Sequence, residues 1–174
     1  MDIEEKDLLK WEMSDPEIAV ERKKIDDFVI NIEKELSITL PNEYRDYIFL
    51  TGNQTSWPKD DCGYFLAKYN NKSLKVLMSV LFPSEEVIDS TKLLQESIYD
   101  HRFLLSQGLI IIGCDYDDFS DGYLVYDVRR ESPTYQNVFH WMYSQDNLVV
   151  GEGLGFIARS LKEFLSMPTS EDEL

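Results

Sequence analysis

The sequence predicts an α+β fold: a single domain with N-terminal helices, a mostly antiparallel sheet and a C-terminal closing helix. Three observations carry this. Ile25, Phe28, Val29, Ile32 and Leu36 fall at helical spacing and form one apolar stripe. Several short apolar runs from Gly63 to Val150 are separated by hairpin-length polar turns. Ile157, Leu161, Phe164 and Leu165 then return to helical spacing ahead of Pro168. Helices grouped before and after a block of strands argue α+β. A length of 174 residues suits one domain, drawn here as residues 14–168 with an extension at 1–13 and a solvated tail at 169–174.

In chain order, Ile3 to Trp11 reads as a short frayed helix with Leu8, Leu9 and Trp11 on its apolar side. The main helix is entered through Ser14 and Glu17 at capping-box spacing, with Pro16 in the first turn and Asp15 as an alternative cap. It runs to about Leu36. Pro41 cannot donate a backbone hydrogen bond and pushes Leu40 out of the helical region. It also suits the start of a second helix, on which Tyr44, Tyr47 and Ile48 share a face and which Gly52 ends in a left-handed cap. Asn53 to Gly63 reads as a loop from its Asn, Ser, Pro and Gly content. Gly63–Lys68 and Leu74–Phe82 read as strands around the turn 69–72, although periodicity alone does not separate the second from a buried helix. Ser84 to Gln107 reads as helical, broken near Asp89 or Asp100. Leu109 to Cys114, with three consecutive isoleucines, is the central-strand candidate. Gly122–Val128, Val138–Tyr143 and a short Leu148–Val150 follow, the last across the turn Ser144–Asn147. The glycines 151, 153 and 155 then loosen the chain before a helix from Phe156 to Met167.

Charge is the outlying property. With 17 basic and 33 acidic residues the net charge is −16. Such a surface repels nucleic acid and anionic membrane and attracts basic partners, and it also serves plain solubility. Cys62 and Cys114 form no C-x-x-C and read as two buried thiols of a reducing, cytoplasmic protein. The opening residues lack the apolar core of a signal peptide, and no apolar run is long enough to span a bilayer.

Four constellations bear on chemistry. Asp115, Asp117, Asp118 and Asp121 crowd one turn. Their spacing does not match a calcium-binding EF-hand loop. Asp-Gly is also favoured by hairpin geometry, and a third reading is an acidic partner surface with Tyr116 and Phe119 as aromatic anchors. Trp57, on the loop before Pro58, is either a further partner contact or an aromatic folded over the core. His101 and His140 have no nucleophile or carboxylate assigned to them by sequence, so a packed or surface imidazole outweighs a catalytic one. Gly151-x-Gly153-x-Gly155 has the wrong spacing for a dinucleotide fingerprint, and Glu152 would oppose a phosphate. No nucleophile, base and oxyanion site can be assembled. The expectation is a protein without catalytic residues, metal or cofactor.

Several motifs resemble the SUKH superfamily, the Smi/Knr-type proteins. They are Ile25-Asp-Asp-Phe28 through Glu33, Leu40-Pro41-x-x-Tyr44-Arg45-x-Tyr47, and Thr51-Gly52-Asn53. Leu109–Ile112 before an acidic turn, Asp121-Gly122-Tyr123-Leu124-Val125-Tyr126-Asp127, and Ala158-Arg159-Ser160-Leu161-x-x-Phe164-Leu165 are similar to later pieces. The resemblance implies an immunity protein that neutralises a polymorphic or contact-dependent toxin, often a nuclease, by direct binding in the producing cell. A regulatory or scaffold module without a toxin is the alternative. It implies no catalytic residues. A nuclease has a basic face, which a chain of this charge would be steered towards. Trp57 and the turn Asp115, Tyr116, Asp117, Asp118, Phe119 and Asp121 are the expected partner-binding residues.

Overall fold

The computed structural model describes residues 1–15, 21–96, 104–116, 122–142 and 147–174. Eight strands are present among them: β1 (Trp11–Met13), β2 (Ser56–Pro58), β3 (Tyr64–Lys68), β4 (Ser73–Leu81), β5 (Leu109–Asp115), β6 (Gly122–Asp127), β7 (Val138–Met142) and β8 (Leu154–Ala158). Four α-helices accompany them: α1 (Arg22–Leu36), α2 (Asn42–Thr51), α3 (Ser84–Gln95) and α4 (Leu161–Leu165). The strands lie in the order β1-β2-β4-β3-β8-β7-β6-β5, and β4 pairs with β5 as well. Six strands therefore close into a barrel, with β1 and β2 as an extension, and every strand pairing is antiparallel. The α+β architecture with an antiparallel sheet and a C-terminal helix stands as the sequence predicts.

The apolar stripe of α1 buries Ile25, Val29, Ile32 and Leu36. At about 1.5–3 kcal/mol for each buried aliphatic side chain, this face supplies roughly 6–12 kcal/mol of gross driving force. α1 ends at Ser37 in a left-handed conformation (φ 54°). Glu33 then spans the break: its carboxylate accepts from the Leu40 amide at 2.8 Å and pairs with Arg45 at 3.2 Å. Gly52 closes α2 in the left-handed cap read from the sequence.

The main core joins α1, α2 and α4 to side chains from around the barrel, including Phe65, Val76, Met78, Ile110, Ile112, Leu124, Tyr126 and Ile157. The opposite faces of β5, β6 and β7 send Ile111, Val125, Phe139 and Trp141 into a second cluster with Leu94 of α3. This alternation is the two-residue period of a sheet buried on both sides.

Five elements differ from expectation. Residues 1–13 are built into the fold: Ile3, Leu8 and Trp11 are buried, and β1 pairs with β2 inside the stretch expected as a loop. The helical region after Pro83 ends at Gln95, and residues 104–106 are not helical. The strand following β7 is β8, where a loose connection and the start of a helix were expected; Val150 makes only an isolated bridge to Leu154. The closing helix shrinks to α4, capped by Ser160, whose hydroxyl accepts from the Glu163 amide at 3.1 Å. Gly155 suits β8 because a Cβ there would lie 2.4 Å from the Tyr69 ring. α1 begins only at Arg22, with Glu21 at its N-cap position, so neither Ser14 nor Asp15 caps it; Pro16 and Glu17, the break at Asp100, His101, and the turn at Ser144–Asp146 fall outside the described residues. Cys62 and Cys114 are free thiols, both half-buried.

Candidate partner-binding groove

The register of the barrel builds a groove of about 750 Å³ over the outer face of β4. In β4, Val76 and Met78 point into the core while Leu77 and Ser79 face outward. Tyr64 lies opposite Leu77. Past the end of β5, the Tyr116 amide donates to the Leu77 carbonyl at 2.9 Å, which delivers the Tyr116 side chain beside this outer face. Tyr116 is 64% exposed and Leu77 39% exposed. Trp57 of β2 lines the same groove, its indole N–H donating to Glu12 Oε2 of β1 at 3.2 Å. Among the described residues, the charged ones lining it are the acids Asp61, Glu171 and Asp172 and the base Lys59. A hollow of about 260 Å³ adjoins it and shares Tyr64, Leu77 and Tyr116.

Of the residues expected to meet a partner, Trp57 and Tyr116 thus come together, from sites 59 residues apart. Asp115 lines the adjoining hollow, beside Tyr64, Leu77 and Tyr116. Its side chain is only 5% exposed and meets His140 Nε2 at 2.8 Å. Asp117, Asp118, Phe119 and Asp121 lie outside the described residues. Leu77, Tyr64, Glu171 and Asp172 were not among the expected site residues. The outward parity of Leu77 in a strand reading of β4 is the one signal that could have found them; nothing local places the tail acids here.

Behind the groove lies a buried polar bracket. His140 of β7 meets Asp115 through Nε2, and its Nδ1 meets the Tyr69 hydroxyl at 2.7 Å. The same hydroxyl lies 3.0 Å from the His140 carbonyl. Gly122 permits the close approach, since a Cβ there would lie 1.9 Å from Asp115 Oδ2. A carboxylate, imidazole and hydroxyl in series have the order of a nucleophile-activating relay. Here, however, burial pushes the Tyr69 hydroxyl well above the ordinary tyrosine range, and the nearby Asp115 charge adds to this against a hydrogen bond at the Gly155 backbone. Tyr69 therefore keeps its proton. The bracket ties β7, the end of β5 and the β3–β4 turn together.

A second buried carboxylate, Glu43 of α2, is 4% exposed. It accepts from the Tyr126 hydroxyl at 2.6 Å and from the Leu161 amide at 2.7 Å, joining α2 to β6 and to the first turn of α4. Burial raises its carboxyl above the usual range, and the bonds from Tyr126, Leu161 and Lys162 only partly reverse this. Among the described residues, no group of three or more His, Cys, Asp or Glu side chains is arranged to hold a metal.

The family model of the SMI1/KNR4 family (SUKH-1) matches residues 26–167. The chain belongs to the SMI1/KNR4 family. The matched span runs from α1 to just past α4 and includes Trp57, Tyr64, Leu77 and Tyr116, while β1 and the acids Glu171 and Asp172 lie beyond it. A comparison with curated proteins returns no match. SMI1/KNR4 (SUKH-1) proteins are a non-catalytic, immunity-type binding family, so membership points to a protein partner. Among the described residues no helix is long and apolar enough to cross a membrane.

Proposed function

We propose that this chain is an immunity protein that binds a toxin encoded beside it and blocks it by direct contact, without chemistry of its own. The observation that carries the reading is the groove over β4. It sets an exposed tyrosine, an exposed leucine and a half-buried tryptophan between acids, on a chain of net charge −16. Aromatic anchors ringed by polar groups are where binding energy concentrates in protein interfaces. The charge steers a basic partner and speeds encounter. A nuclease domain fits this best, because its phosphate-binding face is basic.

The test is capture and rescue. The tagged chain should retain a toxin from its source cell, and co-expression should restore growth to cells producing that toxin. Asp117→Lys with Asp118→Lys should slow association, most visibly at low salt. Failure of rescue by the wild-type chain against the captured protein would refute the immunity reading, and retention of a harmless regulator would assign the chain as a general interaction module.

A further inference from the structure

The residues after Pro168 are not free. The Tyr64 amide donates to the Thr169 carbonyl at 2.9 Å, and the Thr169 amide donates back to the Tyr64 carbonyl at 2.8 Å. The Thr169 hydroxyl donates to Glu173 Oε2 at 2.6 Å, across a short 3-10 turn at Glu171–Glu173. Lys10 Nζ holds the Pro168 carbonyl at 2.7 Å. The segment expected as a solvated tail is thus a docked strap. Its Glu171 and Asp172 stand exposed on the groove, with Asp61 also on the lining, and Lys59 is the base among the lining residues. Acids of one sign held around a partly apolar groove repel one another, and an incoming cation relieves that repulsion. Trp57, Tyr64 and Tyr116 supply aromatic faces on which the stem and charge of a lysine or arginine can rest.

We propose that residues 169–174 are a working wall of the groove, completing it as a receptor for an extended, lysine- or arginine-bearing segment of the protein partner. This deepens the reading of the groove as the partner site. It adds that affinity depends on a strap lying outside the family-matched span.

Fluorescence tests it without the partner. Trp11 and Trp141 are buried at 2% and 0% exposure, so quenching by ions reports Trp57. In the full chain, the caesium-to-iodide quenching ratio should be roughly threefold or more above that of free N-acetyltryptophanamide, because the groove gathers cations. That ratio should fall about twofold in a chain stopped after Pro168 and in Glu171→Gln/Asp172→Asn, which leaves the strap in place. Asp26→Asn/Asp27→Asn, an equal charge change on exposed positions of α1, should leave it unchanged. A nine-residue lysine- and arginine-rich peptide should bind the wild type about fivefold or more tighter than Glu171→Gln/Asp172→Asn. The proposal is overturned if both strap variants keep the wild-type ratio, if the α1 control lowers it equally, or if spermidine binds as tightly as the peptide. A toxin rescue that fails while the caesium result holds would remove the immunity reading and leave the receptor standing.

Discussion

Replacing Glu43 by alanine removes the acceptor for the buried Tyr126 hydroxyl and the Leu161 amide, at 2.6 and 2.7 Å. Each buried donor left without that acceptor costs about 1–3 kcal/mol. Release of the carboxylate from its desolvated site offsets part of this, so a net loss of about 3 kcal/mol is expected. For a chain of this size that lowers Tm by roughly 6–12 °C. Glu43→Gln separates charge from contact. A single amide oxygen in the Oε2 position can accept from both donors, so the fold persists while the ionisation disappears. The folded-state carboxyl is raised above its ordinary value of 4.5. Its favourable contribution is therefore complete below that value and is lost as pH rises through the higher folded value. Urea unfolding followed by circular dichroism, at intervals from pH 4 to 8, should show wild type losing stability relative to Glu43→Gln as pH rises through this window. An alanine variant within about 0.5 kcal/mol of wild type, or a wild-type-minus-glutamine difference flat with pH, would refute the reasoning.

Asp127 should behave with the opposite sign. It is fully buried and accepts from Arg129 Nη2 at 2.9 Å, Ser132 at 2.8 Å and Thr134 at 2.6 Å. Burial pushes its carboxyl up, but Arg129, Thr134 and Ser132 outweigh this and hold it below 3.8. Asp127→Asn should cost about 2–4 kcal/mol near neutral pH, with the difference from wild type shrinking as pH falls through the lowered folded value; an acid-independent difference in urea titrations would contradict this. Gly122→Ala should force Asp115 and His140 apart and lower stability by about 1–3 kcal/mol, read as a drop in Tm. Tyr69→Phe should cost about 1 kcal/mol and leave partner capture intact if the bracket is structural. Trp57→Ala and Tyr116→Ala should each weaken capture by about 2 kcal/mol or more while leaving circular dichroism unchanged; wild-type affinity in both would remove the groove as the binding surface.

Where local pattern and tertiary packing agree, the fold was legible. The stripe of α1 and the isoleucines of β5 bury as their pattern dictates, and Gly52 takes the left-handed cap. β8 was misread for a physical reason: Leu154, Ile157, Ala158, Leu161, Phe164 and Leu165 keep helical spacing through a segment that is strand, break and then helix. The feature that separates strand from helix is Ser160 three residues before Glu163, the signature of a helix beginning there. β1 and β2 span three residues each, one containing Pro58, too short for any period to show. The site divides in the same way. Trp57 and Tyr116 stand out as aromatics beside turn residues, whereas Leu77 and the strap acids join them only through pairings of Tyr64 with Leu77 and with Thr169. The burial of Asp115 depends on His140, 25 residues away, which no local signal announces.

The earliest residues of the chain find their partners among the last. Trp11 donates through Nε1 to the Leu165 carbonyl, and Lys162 reaches the Asp2 carbonyl, both at 2.8 Å. During synthesis, the segment carrying Ile3, Leu8 and Trp11 therefore leaves the ribosome long before its seat exists. The seam between them can close only once α4 has emerged, so the apolar side chains of this segment wait for a partner made about 150 residues later.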